Sequence, residues 1–155
     1  MILVRENKEK HREVYFLKDR YRKYWFSKPP GWVKDHVQLL DSFFPSYILG
    51  YGDCWIDFKI LDGILASTFP HTDEFILRIY NFCLNNIKET YPYAHGDWVL
   101  SNMLIDNNFI QLCDWDNFGI YDFDEVIKKL HHDMYSAFGN KFNTVKREIN
   151  DPSSI

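Results

Sequence analysis

The sequence predicts an α+β protein in which a small antiparallel sheet with one helix precedes a mainly helical segment. Three observations point to it. Apolar residues alternate in two N-terminal stretches, residues 13–17 and 23–28, as they do in half-buried strands. Helical spacing of apolar residues then recurs over residues 32–44, 73–90 and 123–138. Short strand pairs bounded by turn residues lie between these segments. The order is hairpin, helix, hairpin, helix, hairpin, helix, and it divides the chain into residues 1–62 and residues 63–155.

Each element has a local cause. Ile2-Leu3-Val4 reads as a first strand, residues 13–17 as a second and residues 23–28 as a third. Pro29-Pro30-Gly31 ends the third, because proline offers no N–H to a ladder. The helix over residues 32–44 is marked by Val33, Val37, Leu40 and Phe44. Thr72 is the expected N-cap of a second helix from Asp73 to Thr90, whose buried stripe is Ile76, Ile79, Tyr80, Cys83 and Ile87. Met103-Leu104-Ile105 forms a short strand, Asp106-Asn107-Asn108 turns, and residues 109–113 return beside it. A last helix covers residues 123–138. A polar tail from Asn150 to Ser154 is expected to fray.

Composition narrows the function. With 155 residues and a net charge of −4, the chain is no general polyanion binder, and no nucleic-acid partner is expected. Lys18, Arg20, Arg22 and Lys23 form a basic run that reads as a solvated hairpin edge. No run of about 18 apolar residues occurs, and Met1-Ile2-Leu3-Val4 leads straight into charge, so no membrane partner and a cytoplasmic location are expected. Cys54, Cys83 and Cys113 lack metal-ligand spacing and read as reduced thiols. Aromatic residues make up 18% of the chain, which predicts an apolar surface patch and a homodimer. The hairpin at residues 21–26 and the helix carrying Met134, Tyr135 and Phe138 are the candidate faces.

The most informative stretch is His95-Gly96-Asp97-Trp98-Val99-Leu100-Ser101-Asn102, followed by Asp114-Trp115-Asp116. Its spacing resembles a phosphoryl-transfer loop, in which an Asp takes the acceptor hydroxyl's proton, an Asn five positions later binds Mg²⁺, and a second Asp on the next hairpin binds the metal again. Asp97, Asn102 and Asp114 fit those roles in order. Two oxygen ligands completed by phosphate and water suit Mg²⁺, which keeps part of its hydration shell. His95 reads mainly as an organiser of the loop. Asp116 is either a second metal ligand or a helix-start acid. His131-His132-Asp133 is no metal site, since adjacent helix positions face different ways.

On these residues the chain resembles the aminoglycoside phosphotransferase and choline kinase group of the protein-kinase-like superfamily. In that group Gly follows the loop His, and the metal-binding Asp begins Asp-Phe/Trp-Asp, as here. Upstream, Tyr47-Ile48-Leu49-Gly50-Tyr51-Gly52-Asp53 and the segment from Trp55 to Gly63 resemble the strand pair and hinge over the nucleotide base. Gly119-Ile120-Tyr121-Asp122 is similar to the turn entering the next helix. The resemblance implies a miniature protein-kinase-like two-lobe fold, with a reduced nucleotide-binding lobe at residues 1–62 and a catalytic lobe at 63–155. It further implies ATP and Mg²⁺ as cofactors and a small-molecule hydroxyl as acceptor: a sugar, an aminoglycoside-like compound or an amino alcohol.

The same resemblance assigns the phosphate-contacting lysine to Lys28, with Lys18 as rival because the strand register is open. Its helix acid would be Asp35 or Asp41, each one methylene shorter than the usual Glu. The family's glycine-rich phosphate loop has no counterpart, since residues 6–12 contain no glycine and offer only Lys8, Lys10 and Arg12. That departure keeps an alternative open, a catalytically impaired pseudokinase that binds a nucleotide or a partner.

Overall fold

The structure is a computed structural model and describes residues 2–150. It is mixed α and β, with small antiparallel sheets and four helices among the described residues. The chain forms two units, Met1–Leu61 and Asp62–Ile155.

In the first unit, β1 (Ile2–Asn7), β2 (Arg12–Leu17), β3 (Arg20–Trp25), β4 (Ile48–Tyr51) and β5 (Trp55–Lys59) make one antiparallel sheet in the order β1-β2-β3-β5-β4. Between β3 and β4 the chain runs through α1 (Trp32–Phe43). The helix buries Val33, His36, Val37 and Leu40, a spacing of three and four residues that makes one stripe. Trp25 meets Trp32 with ring centres 5.3 Å apart, which ties the sheet to the helix.

The third strand differs from the one the sequence predicts. A two-residue turn at Lys18-Asp19 pairs Leu17 with Arg20, and the ladder then runs to Arg12 opposite Trp25. Phe26 makes one more backbone bond, to the His11 carbonyl at 2.9 Å, before the prolines end the pairing. The strand therefore starts three residues earlier than expected and ends at Trp25. Lys18 falls in the turn and Lys28 beyond the strand, both exposed. Lys23 is instead the lysine inside β3, buried at 7% exposure, on the same face as Trp25.

The basic run is not a solvated edge either, because β3 is a central strand. Arg22 forks onto the buried Asp57 carboxylate with contacts of 2.7 and 3.0 Å, and Arg20 reaches it at 3.4 Å. The Arg22 guanidinium also lies 3.9 Å over the Trp55 ring. These charges are matched within the sheet.

In the second unit, α2 (Asp73–Thr90) follows the short β6 (Ile64–Leu65). Thr72 caps it, its hydroxyl accepting the Phe75 N–H at 3.2 Å, and the buried stripe includes Ile76, Ile79, Tyr80, Cys83 and Ile87. Burial pushes the Cys83 thiol up, so it stays protonated. After β7 (Tyr93–Ala94), the loop and one 3-10 turn (Leu100–Asn102) lead into β8 (Met103–Asp106) and β9 (Phe109–Leu112). Asp106 pairs with Phe109, so the turn is Asn107-Asn108, with Asn107 in the left-handed region that asparagine tolerates. β6 joins the other edge of β8. β10 (Gly119–Ile120) pairs with β7, so the Gly119 segment is a strand rather than the expected turn.

The final helices close the core. α3 (Phe123–Phe138) runs as expected, and Gly139 ends it at a positive φ of 60°, its N–H bonded to the Tyr135 carbonyl at 2.7 Å. A further helix, α4 (Asn140–Asn150), follows immediately and was not foreseen. It packs Phe142 against Tyr80 and His131 with ring centres at 5.4 and 5.8 Å. Met134 and Phe138 are consequently buried rather than displayed, and only Tyr135 of that trio is exposed. Burying each contributes about 1.5–3 kcal/mol to the fold, which removes this face from the candidate dimer surfaces. Residues 151–154 of the expected tail lie outside the described residues. No helix among the described residues is long and apolar enough to cross a membrane.

Candidate active site

The loop between β7 and β8 is built around one buried imidazole. His95 is fully buried between Trp98 and Trp115, with ring centres at 5.6 and 4.6 Å. Its Nε2–H donates to the Cys113 carbonyl at 2.8 Å, and its Nδ1 accepts the Asp97 backbone N–H at 3.2 Å. Both ring nitrogens are thereby engaged in the neutral form. Burial pushes its pKa down, against the pull of the Cys113 hydrogen bond and nearby carboxylates. His95 thus fixes where the loop backbone passes, and Asp97 is left to face solvent.

Asp97 and Asn102 meet directly. The Asn102 amide donates to Asp97 Oδ2 at 3.0 Å and to the Asp97 carbonyl at 3.3 Å. The amide is buried while the carboxylate keeps about a third of its surface open. Asn102 therefore orients the carboxylate through one oxygen. Its own carbonyl oxygen remains a hard ligand atom.

The backbone just before Asp114 is tied to the loop. The Cys113 N–H donates to the Asn102 carbonyl at 2.8 Å, while the Cys113 carbonyl holds His95, so the residue before Asp114 is clamped from both ends of the loop. Asp114 itself has a φ of 59°, a conformation that side chains other than glycine adopt at a cost and that concentrates at functional positions. Asp116 is not a helix-start acid, since α3 begins only at Phe123. It sits in the turn closed by the Phe118 N–H on the Trp115 carbonyl at 3.1 Å.

This donor set fits a magnesium ion that keeps water. Among the described residues no group of three or more His, Cys, Asp or Glu side chains is placed to hold a metal ion by itself. A carboxylate from Asp114 and an amide oxygen from Asn102 are the hard, incomplete set that Mg²⁺ accepts when phosphate oxygens supply the rest.

Gly96 has a structural requirement of its own. Its φ is +81°, and an ideal Cβ there would lie 2.5 Å from the Tyr121 hydroxyl oxygen. That hydroxyl donates to the Asn117 carbonyl at 2.6 Å. Tyr121 therefore packs flush against the loop just before Asp97.

Two residues of α3 complete the site and were missed from sequence. Asp133 is buried at 4% exposure, and its Oδ2 accepts the Trp98 backbone N–H at 2.9 Å. Its Oδ1 accepts Lys129 Nζ at 2.6 Å, and that ammonium lies 4.0 Å from Asp97 Oδ1. Reading His131-His132-Asp133 as no metal site agrees with the geometry, since the three side chains face different ways, with His131 on Tyr80 and Lys146 and His132 exposed. The signal that could have found Asp133 is its placement among Val126, Leu130, Met134 and Phe138, on the buried stripe of the helix.

Among the candidates of the first unit, Lys28 lies over the Trp32 ring at 4.6 Å, and Lys18 and Asp35 are exposed. The helix position aimed into the core carries His36, stacked on Trp32 with centres 4.6 Å apart, and Asp41 is exposed.

No protein-family model matches the chain, and no curated protein matches it. Solved structures do. The crystal structure of monomeric WbdD aligns over 93% of this chain and 41% of that one, with a TM-score of 0.61 and 14% identity. A 2.2 Å crystal structure of WbdD aligns over 85% and 36%, with a TM-score of 0.60 and 15% identity. The chain shares its fold with WbdD. At this identity the likeness is one of fold, and the chain spans about two fifths of the length of those structures.

Proposed function

We propose that the protein is an ATP- and Mg²⁺-dependent phosphotransferase that acts on a hydroxyl of a small molecule, in the manner of the aminoglycoside phosphotransferase and choline kinase group. The observation that carries this reading is the Cys113 backbone, which binds His95 with its carbonyl and Asn102 with its N–H. One residue thereby ties the His95 and Asn102 ends of the loop to the segment that carries Asp114, which supports the reading of Asp97, Asn102 and Asp114 as one set. Asp97 takes the proton of the acceptor hydroxyl, with Asn102 fixing the carboxylate so that Oδ1 is the oxygen that receives it. Asn102 and Asp114 would hold the magnesium, which when bound neutralises charge on the phosphates. His95, neutral and buried, keeps the loop in place without exchanging a proton. In the first unit, Lys23 lies inside the strand and joins Lys28 and Lys18 as a candidate for the nucleotide phosphates.

The second reading, a nucleotide- or partner-binding module without turnover, is favoured by the β1–β2 turn. It has no glycine, and two of its N–H groups are already bonded, Lys10 to the Asn7 side chain at 2.9 Å and His11 to the Lys8 carbonyl at 3.3 Å. Calorimetric titration with ATP, with and without Mg²⁺, followed by turnover on a panel of hydroxyl acceptors, separates the two. Metal-dependent binding with transfer supports the enzyme, binding without transfer supports a nucleotide-binding module, and no binding removes the enzyme and leaves a partner-binding module. A homodimer through the hairpin carrying the exposed Tyr21 and Phe26 belongs to the first reading, and light scattering at twice 18.7 kDa would support it.

A further inference from the structure

Lys129 has a geometry that a solvated helix lysine lacks. Its ammonium is drawn to the loop by Asp133, a buried carboxylate whose other oxygen is already committed to the Trp98 N–H. In that pair the cation precedes the anion by four residues, the weaker order for stabilising a helix, so helix stability does not account for it. At 4.0 Å from Asp97 Oδ1 the ammonium is too far for a hydrogen bond and close enough to form an ion pair. An ammonium has three donors, and Asp133 engages one. The side chain is 44% exposed, so the ammonium is open to solvent on the side not taken by Asp133.

We propose that Lys129 is a catalytic residue that donates to an oxygen of the transferring phosphoryl group. The assignment rests on the phosphotransferase reading above. An acceptor hydroxyl bonded to Asp97 lies within about 3 Å of it, and the phosphorus it attacks within about 3.5 Å of that oxygen. A four-carbon side chain anchored 4.0 Å from the same carboxylate spans the remaining gap. In the step itself the acceptor oxygen bonds to the γ-phosphorus and its proton passes to Asp97 Oδ1. The bond from phosphorus to the bridging oxygen breaks, and its electron pair leaves with the nucleoside diphosphate. Negative charge spreads over the phosphoryl oxygens in this transition state, where a fixed cation has its greatest effect.

The test is calorimetric binding of Mg-ADP, alone and with aluminium fluoride as a mimic of the phosphoryl group, to wild type, Lys129→Gln and Lys129→Arg. Glutamine still donates to Asp133 but carries no charge, and thermal melting of both variants checks that they fold. Fluoride should tighten Mg-ADP binding by the wild type. Lys129→Gln should lose roughly tenfold or more of that increment while binding Mg-ADP alone to within about twofold of wild type, and Lys129→Arg should retain most of it. A full increment in Lys129→Gln, an equal loss in Mg-ADP alone, or no increment in wild type would overturn the assignment and leave the phosphotransferase reading standing. Failure of the wild type to bind Mg-ADP at all would overturn both.

Discussion

Asp133 accepts the backbone N–H of Trp98 at 2.9 Å, across 35 residues of sequence and from a helix that contributes no other bond to the loop backbone among those described. A buried carboxylate thus pins the residue that follows Asp97. Asp133→Ala should leave the Trp98 N–H without an acceptor and lower stability by about 1–3 kcal/mol. For a chain of this size that is a fall in Tm of roughly 2–4 °C per kcal/mol. Asp133→Asn, which keeps an acceptor oxygen, should lose less. Equal melting of wild type and Asp133→Ala in differential scanning calorimetry would show that the bond does not hold the loop.

Asp97→Asn should abolish phosphoryl transfer, a loss of roughly 10²-fold or more, with the melting temperature and Mg-ATP affinity near wild type. The amide keeps the shape and the contact with Asn102 but takes no proton. Wild-type turnover on an identified acceptor would remove Asp97 as the base.

Asp114→Ala should reduce Mg²⁺-dependent ATP binding more than Asn102→Ala does, since a carboxylate holds a hard cation better than an amide oxygen. Asn102→Ala should also lower turnover separately, because it frees the Asp97 carboxylate from its 3.0 Å contact. Thermal shift with ATP across a magnesium series reads the first effect. Unchanged shifts in both variants would refute the metal assignment.

Lys23→Met should weaken ATP binding by about 1.5–3 kcal/mol, roughly tenfold or more in Kd, whereas Lys28→Met should leave it unchanged. The basis is the strand register, which buries Lys23 within β3 and leaves Lys28 outside it. The reverse pattern in a titration would assign the phosphate contact to Lys28.

His131 should make stability fall in acid. Its Nδ1 accepts from Lys146 Nζ at 3.2 Å and its Nε2 meets the Tyr80 hydroxyl at 3.0 Å, and burial, then the Lys146 charge, push its pKa below that of a free histidine. The unfolded chain therefore binds the proton first, so this stability is complete above about pH 6.5 and is lost as pH falls below it. His131→Gln should flatten that part of the Tm profile. A profile identical to wild type between pH 7.5 and 5.5 would show that His131 carries none of it.

Legibility followed the range of the forces involved. Helix α2 could be read because its cap and stripe are local, and the strand–turn–strand after Asn102 because Asn107-Asn108 closes it within four residues. The third strand was misplaced because its register depends on the two-residue turn at Lys18-Asp19, and alternation over six residues is satisfied by either register. Helix α4 is hard to read because its polar residues outnumber Phe142 and Val145, and Phe142 packs on Tyr80 and His131 far away in sequence. In the loop, Asp97, Asn102 and Asp114 stand out as candidates through their spacing alone. Asp133 and Lys129 were invisible because their role exists only once α3 lies beside the loop.

The contact between Gly96 and Tyr121 carries a consequence for inheritance. A methyl at position 96 would need both a backbone that tolerates φ near +81° and a vacated place at the Tyr121 hydroxyl. No single codon change supplies both, so the two positions should drift as one unit. Homologues that keep a bulky hydroxylated ring at 121 should be confined to glycine at 96. A descendant that escapes glycine should already have shortened residue 121, which gives the order in which such changes accumulate.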